Sequence, residues 1–301
     1  MHPDLDVEWQ TPVITEKLAS ELSQKSIITD DVCYLSVPWA TIIDKLRASQ
    51  DRVKIEGQKA LNTISELPLD KYVTVCQHYK FEDIRSVFES IGGQCIFAPH
   101  CVEPTTHTQP FPLYAPNTPD QVNDRHIWYS FVGAYMDHYM SDIRIKIFED
   151  THPDNCIVVK REAWQFNDEV YMEQVWNQSI DRVSKYLAEE KTKYYKRVLA
   201  HSRFSLCPSG AGPTSIRVYE SLGCGAIPVI LADTFCFPQV KGVDWSECVI
   251  NINEDNYRDM RKILKSIPLA REKEMRHNCI QAYTQVSGEN ITKCIRNYYD
   301  K

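Results

Sequence analysis

The chain has 301 residues, 43% hydrophobic and 25% charged, with a net charge of −7. That composition describes a globular protein long enough for two domains and excludes a disordered or fibrous one. It also speaks against a nucleic-acid partner, which is usually met by a basic face. No run approaches the roughly 20 apolar residues that cross a bilayer. The opening MHPDLDVEWQ lacks the basic start and apolar stretch of a secretory signal. A soluble, cytoplasmic protein without membrane insertion, or a piece without its anchor, is the expectation. Eleven cysteines with no CxxC pair read as reduced core thiols and not as zinc ligands.

Short apolar runs at 33–37, 72–76, 95–98, 128–132, 156–159, 204–207, 227–231 and 248–252 are rich in β-branched or aromatic residues and predict buried parallel strands. Between them lie helical patterns at 81–91, 143–148, 170–199 and 217–222. In the first, Ile84, Val87, Phe88 and Ile91 share a face, and Gly92-Gly93 closes it. Strand and helix in alternation predict parallel sheets with helices on both faces. The stretch 104–124 carries Pro104, Pro110, Pro112, Pro116 and Pro119 without helical periodicity, and is read as a linker. The expected domains are therefore 1–124 and 125–280, and ligands should bind between them at the carboxyl ends of strands.

The chemistry concentrates in 201–231. A buried strand runs into a loop of small residues, 208–215, which opens a helix near Ser215. Glycines admit close backbone approach, and the helix start favours an anion. Arg217 lies in the first turn, where a cation opposes the helix dipole; a bound diphosphate would account for it. Glu220, one turn on, suits the vicinal hydroxyls of a ribose. The plainer reading is a βαβ crossover with packing glycines and a surface ion pair at i, i+3.

In order, the block holds Tyr194, Ser202, Phe204, Leu206, Pro208, Gly210, Arg217, Glu220, Gly225, Pro228 and Val229. Phe131-Val-Gly133 and Arg144 precede it, and Asp244-Trp245 and 249–254 follow. This pattern resembles the signature of the exostosin-like glycosyltransferases, glycosyltransferase family 47. The resemblance covers about half of the chain. It implies a GT-B fold: α/β, two Rossmann-like doubly wound domains facing an interdomain cleft, with donor on the C-terminal domain and acceptor on the N-terminal one. It also implies that 281–301 is a helix packing back toward the N-terminal domain. Family members usually invert the anomeric centre. The compact length is similar to exostosin-like enzymes of large algal viruses, for which xylosyl transfer is one activity.

The implied partners are a UDP-sugar donor, UDP-xylose among the candidates, and an oligosaccharide or glycoprotein glycan acceptor. Arg217 is assigned to the diphosphate and Glu220 to the ribose, with Gly133, Ser209, Gly210, Gly212 and Ser215 lining the donor site. Arg144 is a candidate for the leaving diphosphate, against a solvated helix arginine. Lys160 and Arg161 end a strand and are both expected at the cleft. The only Asp-x-Asp is Asp4-Leu-Asp6, at the terminus. No metal and no cofactor are therefore expected, the nucleotide sugar being a co-substrate. Candidates for the general base follow N-terminal strands: His78, His100 and Glu103, with Glu82, Asp83, Asp30 and Asp31 also near strand ends. Trp39 is a candidate to stack on an acceptor sugar. Two other readings stay open: a non-catalytic subunit that binds nucleotide sugar or glycan, and a GT-B-fold UDP-sugar epimerase.

Overall fold

The computed structural model describes residues 1–23 and 32–300; Asp30 and Asp31 lie outside them. Helix α1 (Thr15–Ser23) leads to β1 (Cys33–Tyr34), α2 (Trp39–Arg47), α3 (Asp51–Ser65), β2 (Tyr72–Val75), α4 (Arg85–Ser90), β3 (Gly93–Ala98) and β4 (Thr108–Pro110). The four strands are parallel and lie side by side in chain order. Strand periodicity places helices on both faces. Tyr72 and Cys76 pack with Trp39, Ile43, Ile64 and Phe88, whereas Val73 and Val75 pack with Ala19 and Phe111. The turn into β3 requires glycine at position 92, where φ is +93° and a Cβ would stand 2.1 Å from the Asp70 carbonyl oxygen.

The proline-rich stretch is more than a linker. Within it, β4 pairs with β3 and completes the first sheet, and Phe111, Leu113 and Ala115 are buried. Pro110 is tolerated because β4 is an edge strand, where a missing N–H breaks no ladder.

The second sheet comprises β5 (Ile127–Ala134), β6 (Ile157–Arg161), β7 (Ser202–Pro208), β8 (Ile227–Leu231) and β9 (Ile250–Asn251). Helix α5 (Ile143–Glu149) joins β5 to β6, α6 (Arg182–Ala200) precedes β7, and α7 (Ile216–Cys224) joins β7 to β8. Helices α8 (Met260–Ser266), α9 (Leu269–Val286) and α10 (Lys293–Tyr299) close the chain. The strand order is β6-β5-β7-β8-β9, all parallel. The winding reverses at β5, so the crevice beyond the carboxyl ends of β5 and β7 is a topological switch point, where such sheets bind ligands.

The single helix expected over 170–199 is two elements. A π-helical segment, Asp168–Val175, ends at Trp176, and Asn177 adopts a φ of 52°. Asp181 then restarts the chain as α6, accepting from the Val183 and Ser184 amides at 2.9 and 3.0 Å. The π-helical segment reaches the first domain, where Val175 is buried with Ala48 and Val53.

One buried cluster runs from Val75 and Phe97 through Phe111 and Leu113 into Phe131, Phe204 and Leu206, so the domains share an apolar floor beneath the cleft. At the carboxyl terminus, the Tyr298 hydroxyl donates to the Thr106 carbonyl at 3.1 Å, and its ring meets Phe97 edge-on. Two parallel-sheet α/β domains facing one cleft constitute the GT-B arrangement. Among the described residues, no helix is long and apolar enough to cross a membrane.

Candidate functional site

The switch-point crevice opens into a cavity of about 230 Å³ between the domains. Its floor on the second domain is built by the ends of β5 and β7 and the start of α7. After β7, the 209–215 loop is pinned on three sides. Ser209 Oγ donates to Glu254 Oε1 at 2.7 Å, the Gly210 carbonyl accepts from the Met140 amide, and Thr214 Oγ1 donates to the Pro99 carbonyl of the first domain. Gly210, Gly212 and Ser215 face the cavity. Ser209 does not line it; its side chain is turned to Glu254, and it acts as an anchor of the loop. Ser215 precedes α7 without a side-chain hydrogen bond to the first turn. The Val218 amide turns back to the Ser215 carbonyl at 3.0 Å, and the positive end of the α7 dipole faces the cavity side of the loop, an arrangement that favours an anion.

Arg217 is 9% exposed. One Nη2 hydrogen goes to the Val132 carbonyl, while Nε and Nη1 are buried without a partner. Its guanidinium sits 4.7 Å from the Phe131 ring centre and 5.7 Å from that of Tyr195. Gly133 is small for a reason: a Cβ there would stand 3.2 Å from Arg217 Nη2. Glu220 is 2% exposed, accepting from the Tyr195 hydroxyl at 2.5 Å and the Asn117 amide at 3.2 Å. Burial raises its carboxyl pKa, opposed by the Tyr195 bond and the nearby Arg217 charge.

Arg144 is buried and is no solvated helix arginine. It donates to three carbonyls, those of Ser209 at 2.7 Å, Ala134 at 2.9 Å and Pro208 at 3.3 Å, which ties the β5 and β7 ends together. Burial, and then the charge of Arg217, push its pKa down to about 10. Arg161 lines the cavity and is lowered by the same two causes. Lys160 does not belong to the site. It is exposed and turned toward the Phe148 ring, because neighbouring residues of a strand point to opposite faces. Arg144, Arg161 and Arg217 form no contact ion pair among the described residues, and on the second-domain wall of the cavity they outnumber the one carboxylate, Glu220, which leaves an excess of positive charge suited to an anion.

The first domain contributes His78 and His100, both lining the cavity. His100 faces Gly212, where a Cβ would stand 2.2 Å from Nδ1, and that nitrogen is buried without a partner. Burial pushes its pKa down to about 3, with a smaller contribution from His78. Glu103 is exposed and lines a separate surface depression with Arg85 and Thr105, outside the cleft; the turn after Cys101 carries it away. Glu82 and Asp83 are exposed and pair with Arg85 and Arg47. Trp39 is not an acceptor platform. It is fully buried, with Nε1 donating to Thr74 Oγ1 at 2.7 Å.

Several cleft residues carried no readable signal. Tyr195 lines the cavity, whereas the motif residue beside it, Tyr194, lies by Arg197. Gln10, Asp44, Trp164 and Tyr171 also line it, brought in by segments with no pattern of their own. Trp164 belongs to the excursion after β6, and Asp44 to a helix whose buried face reads as ordinary amphipathicity.

This is a two-domain α/β protein of GT-B architecture with a cationic crevice at the switch point of its second sheet. The chain belongs to the Exostosin GT47 domain family, whose model matches residues 88–267, more than half of its length. It is 34% identical over 82 residues to a probable glucuronoxylan glucuronosyltransferase of Arabidopsis thaliana, covering 27% of this chain and 18% of that one. Over 80 residues it is 35% identical to a probable beta-1,4-xylosyltransferase of the same plant, covering 27% and 19%. The matched segment therefore takes in less than a fifth of either relative. Among solved structures, it is similar to Anabaena HepE in complex with UDP and glucose, at 9% identity and a TM-score of 0.46, covering 94% of this chain and 80% of that one.

Proposed function

We propose that the protein is a glycosyltransferase moving a sugar from a UDP-sugar donor to a hydroxyl of a glycan acceptor, with inversion and without a metal ion. The observation that carries this reading is Arg217, buried at the switch point with two unpartnered guanidinium nitrogens, one turn before Glu220 on α7. A diphosphate would take those donors and the α7 start, while Glu220 retains lone pairs for ribose hydroxyls. Arg144 and Arg161 supply further positive charge for the leaving nucleoside diphosphate, in the role a divalent cation plays elsewhere. Membership of the family supports sugar transfer, and relatives named for glucuronosyl and xylosyl transfer make UDP-glucuronate and UDP-xylose the first donors to try.

The test is calorimetric titration with UDP and a panel of UDP-sugars in EDTA, followed by transfer to oligosaccharide acceptors with the product anomer read by NMR. Micromolar UDP binding and an inverted product are expected. Folded protein that binds no nucleotide would sink the reading. Binding without turnover would point to a non-catalytic subunit, and interconversion of UDP-sugars to an epimerase.

A further inference from the structure

The wall opposite the arginines holds a second polar cluster. Gln10, Asp44 and His78 meet there at the carboxyl edge of the first sheet, all facing the cavity. Asp44, from α2, is 8% exposed. One of its carboxylate oxygens accepts from Gln10 Nε2 at 2.7 Å, and the other lies 3.2 Å from His78 Nε2.

The direction of the second contact follows from a third. The Lys80 amide donates to His78 Nδ1 at 3.0 Å, so Nδ1 bears the lone pair and the ring proton sits on Nε2, facing Asp44. His78 is a donor to Asp44 and has no lone pair left for a substrate. Asp44 receives two donors and has about four acceptor sites, which leaves capacity for a hydroxyl arriving from the cleft. Among the described residues no lysine or arginine pairs with it: Lys45 pairs with Glu56 and Arg47 with Asp83, and its side-chain neighbour there besides Gln10 is the His78 ring.

The other groups on the cavity wall are less suited. Glu220 is engaged on the donor side with Tyr195 and Asn117. His100 packs against the donor loop at Gly212, and His138 is exposed, stacked on Tyr79.

We propose that Asp44 is the catalytic proton acceptor of the transfer and that His78 is the positioning residue that orients it; this rests on the transferase reading above. In the step, the acceptor hydroxyl oxygen bonds to the anomeric carbon as the bond from that carbon to the diphosphate oxygen breaks. The electron pair leaves with the nucleoside diphosphate, and the hydroxyl proton passes to the Asp44 carboxylate.

The deciding experiment compares a glycan acceptor with azide, an anionic nucleophile that carries no proton to remove. Asp44→Ala should lose about 10²- to 10⁴-fold in kcat with the glycan, the usual range for general-base catalysis. With azide, the same variant should form glycosyl azide within about threefold of wild type, which shows that fold and donor site are intact. His78→Phe should lower kcat for the glycan with KM within about twofold, and His78→Gln, which retains a donor to Asp44, should recover much of it. Asp44→Ala that keeps more than a tenth of the glycan rate, or that fails equally with azide, overturns the assignment. Wild type that binds UDP yet transfers to neither acceptor overturns the transferase reading and takes this assignment with it.

Discussion

Arg217 and Glu220 stand one turn apart on α7 and do not pair with each other. The guanidinium lies between the Phe131 and Tyr195 rings, and the carboxylate takes the Tyr195 hydroxyl. A surface i, i+3 pair would have engaged the two groups with each other. Both are buried, both contact Tyr195 instead of each other, and both line the crevice with hydrogen-bonding capacity to spare.

The two residues should therefore fail in different ways. Arg217→Ala is expected to weaken UDP binding by about 1.5–3 kcal/mol, the scale of hydrogen bonds to charged groups, while leaving uridine affinity unchanged. Glu220→Ala should weaken UDP and uridine alike by about 1–3 kcal/mol. Titrations of both ligands into both variants decide it; equal losses of uridine binding would refute the assignment of Arg217 to phosphate.

Gly212 and His100 meet across the domain boundary, with no room for a methyl group between them. Gly212→Ala should destabilise the protein by about 1–3 kcal/mol, the usual cost of overpacking. Adding His100→Ala should restore most of that loss. Thermal melting of the two single variants and the double variant gives the coupling energy, and additive losses would mean that the two residues do not touch.

Trp39 belongs to the core of the first domain. Trp39→Phe removes its bond to Thr74 Oγ1, which keeps its own bond to the Leu35 carbonyl, and should cost about 0.5–1.5 kcal/mol for the lost hydrogen bond. Under the proposed transferase activity, the acceptor KM of the variant should not change. A KM raised tenfold at unchanged stability would return Trp39 to the acceptor site.

Glu16 gives the molecule a pH dependence. It accepts from the Ala40 and Gln77 amides, yet burial raises its pKa from 4.5 to about 8. The folded state thus holds a proton that the unfolded chain releases at lower pH. Its stability contribution is complete below pH 4.5 and is lost as pH rises through about 8. The effect is on the order of a few kcal/mol. Between pH 5 and pH 8.5 the melting temperature of wild type should fall more than that of Glu16→Gln, and equal falls would contradict it.

Much of this was legible in the order of residues. Buried parallel strands leave continuous apolar runs, so 72–76, 95–98, 204–207 and 227–231 declared themselves. The small-residue loop before α7, with Arg217 and Glu220 at fixed offsets, sits within a single βαβ unit, so local spacing alone brings these groups together. What spacing cannot express is the direction of side chains and the meeting of distant segments. Lys160 and Arg161 are adjacent in the chain, yet strand pleating sends one to solvent and the other to the cleft. Asp44, Gln10 and His78 come from three separate segments, and only the closing of the first sheet sets them side by side. The chain by itself determined the two parallel sheets and the floor of the switch-point crevice. The opposite wall, and which lone pair faces the cleft, were decided by tertiary packing, because burial and hydrogen-bond direction are properties of neighbours that the sequence does not place in order.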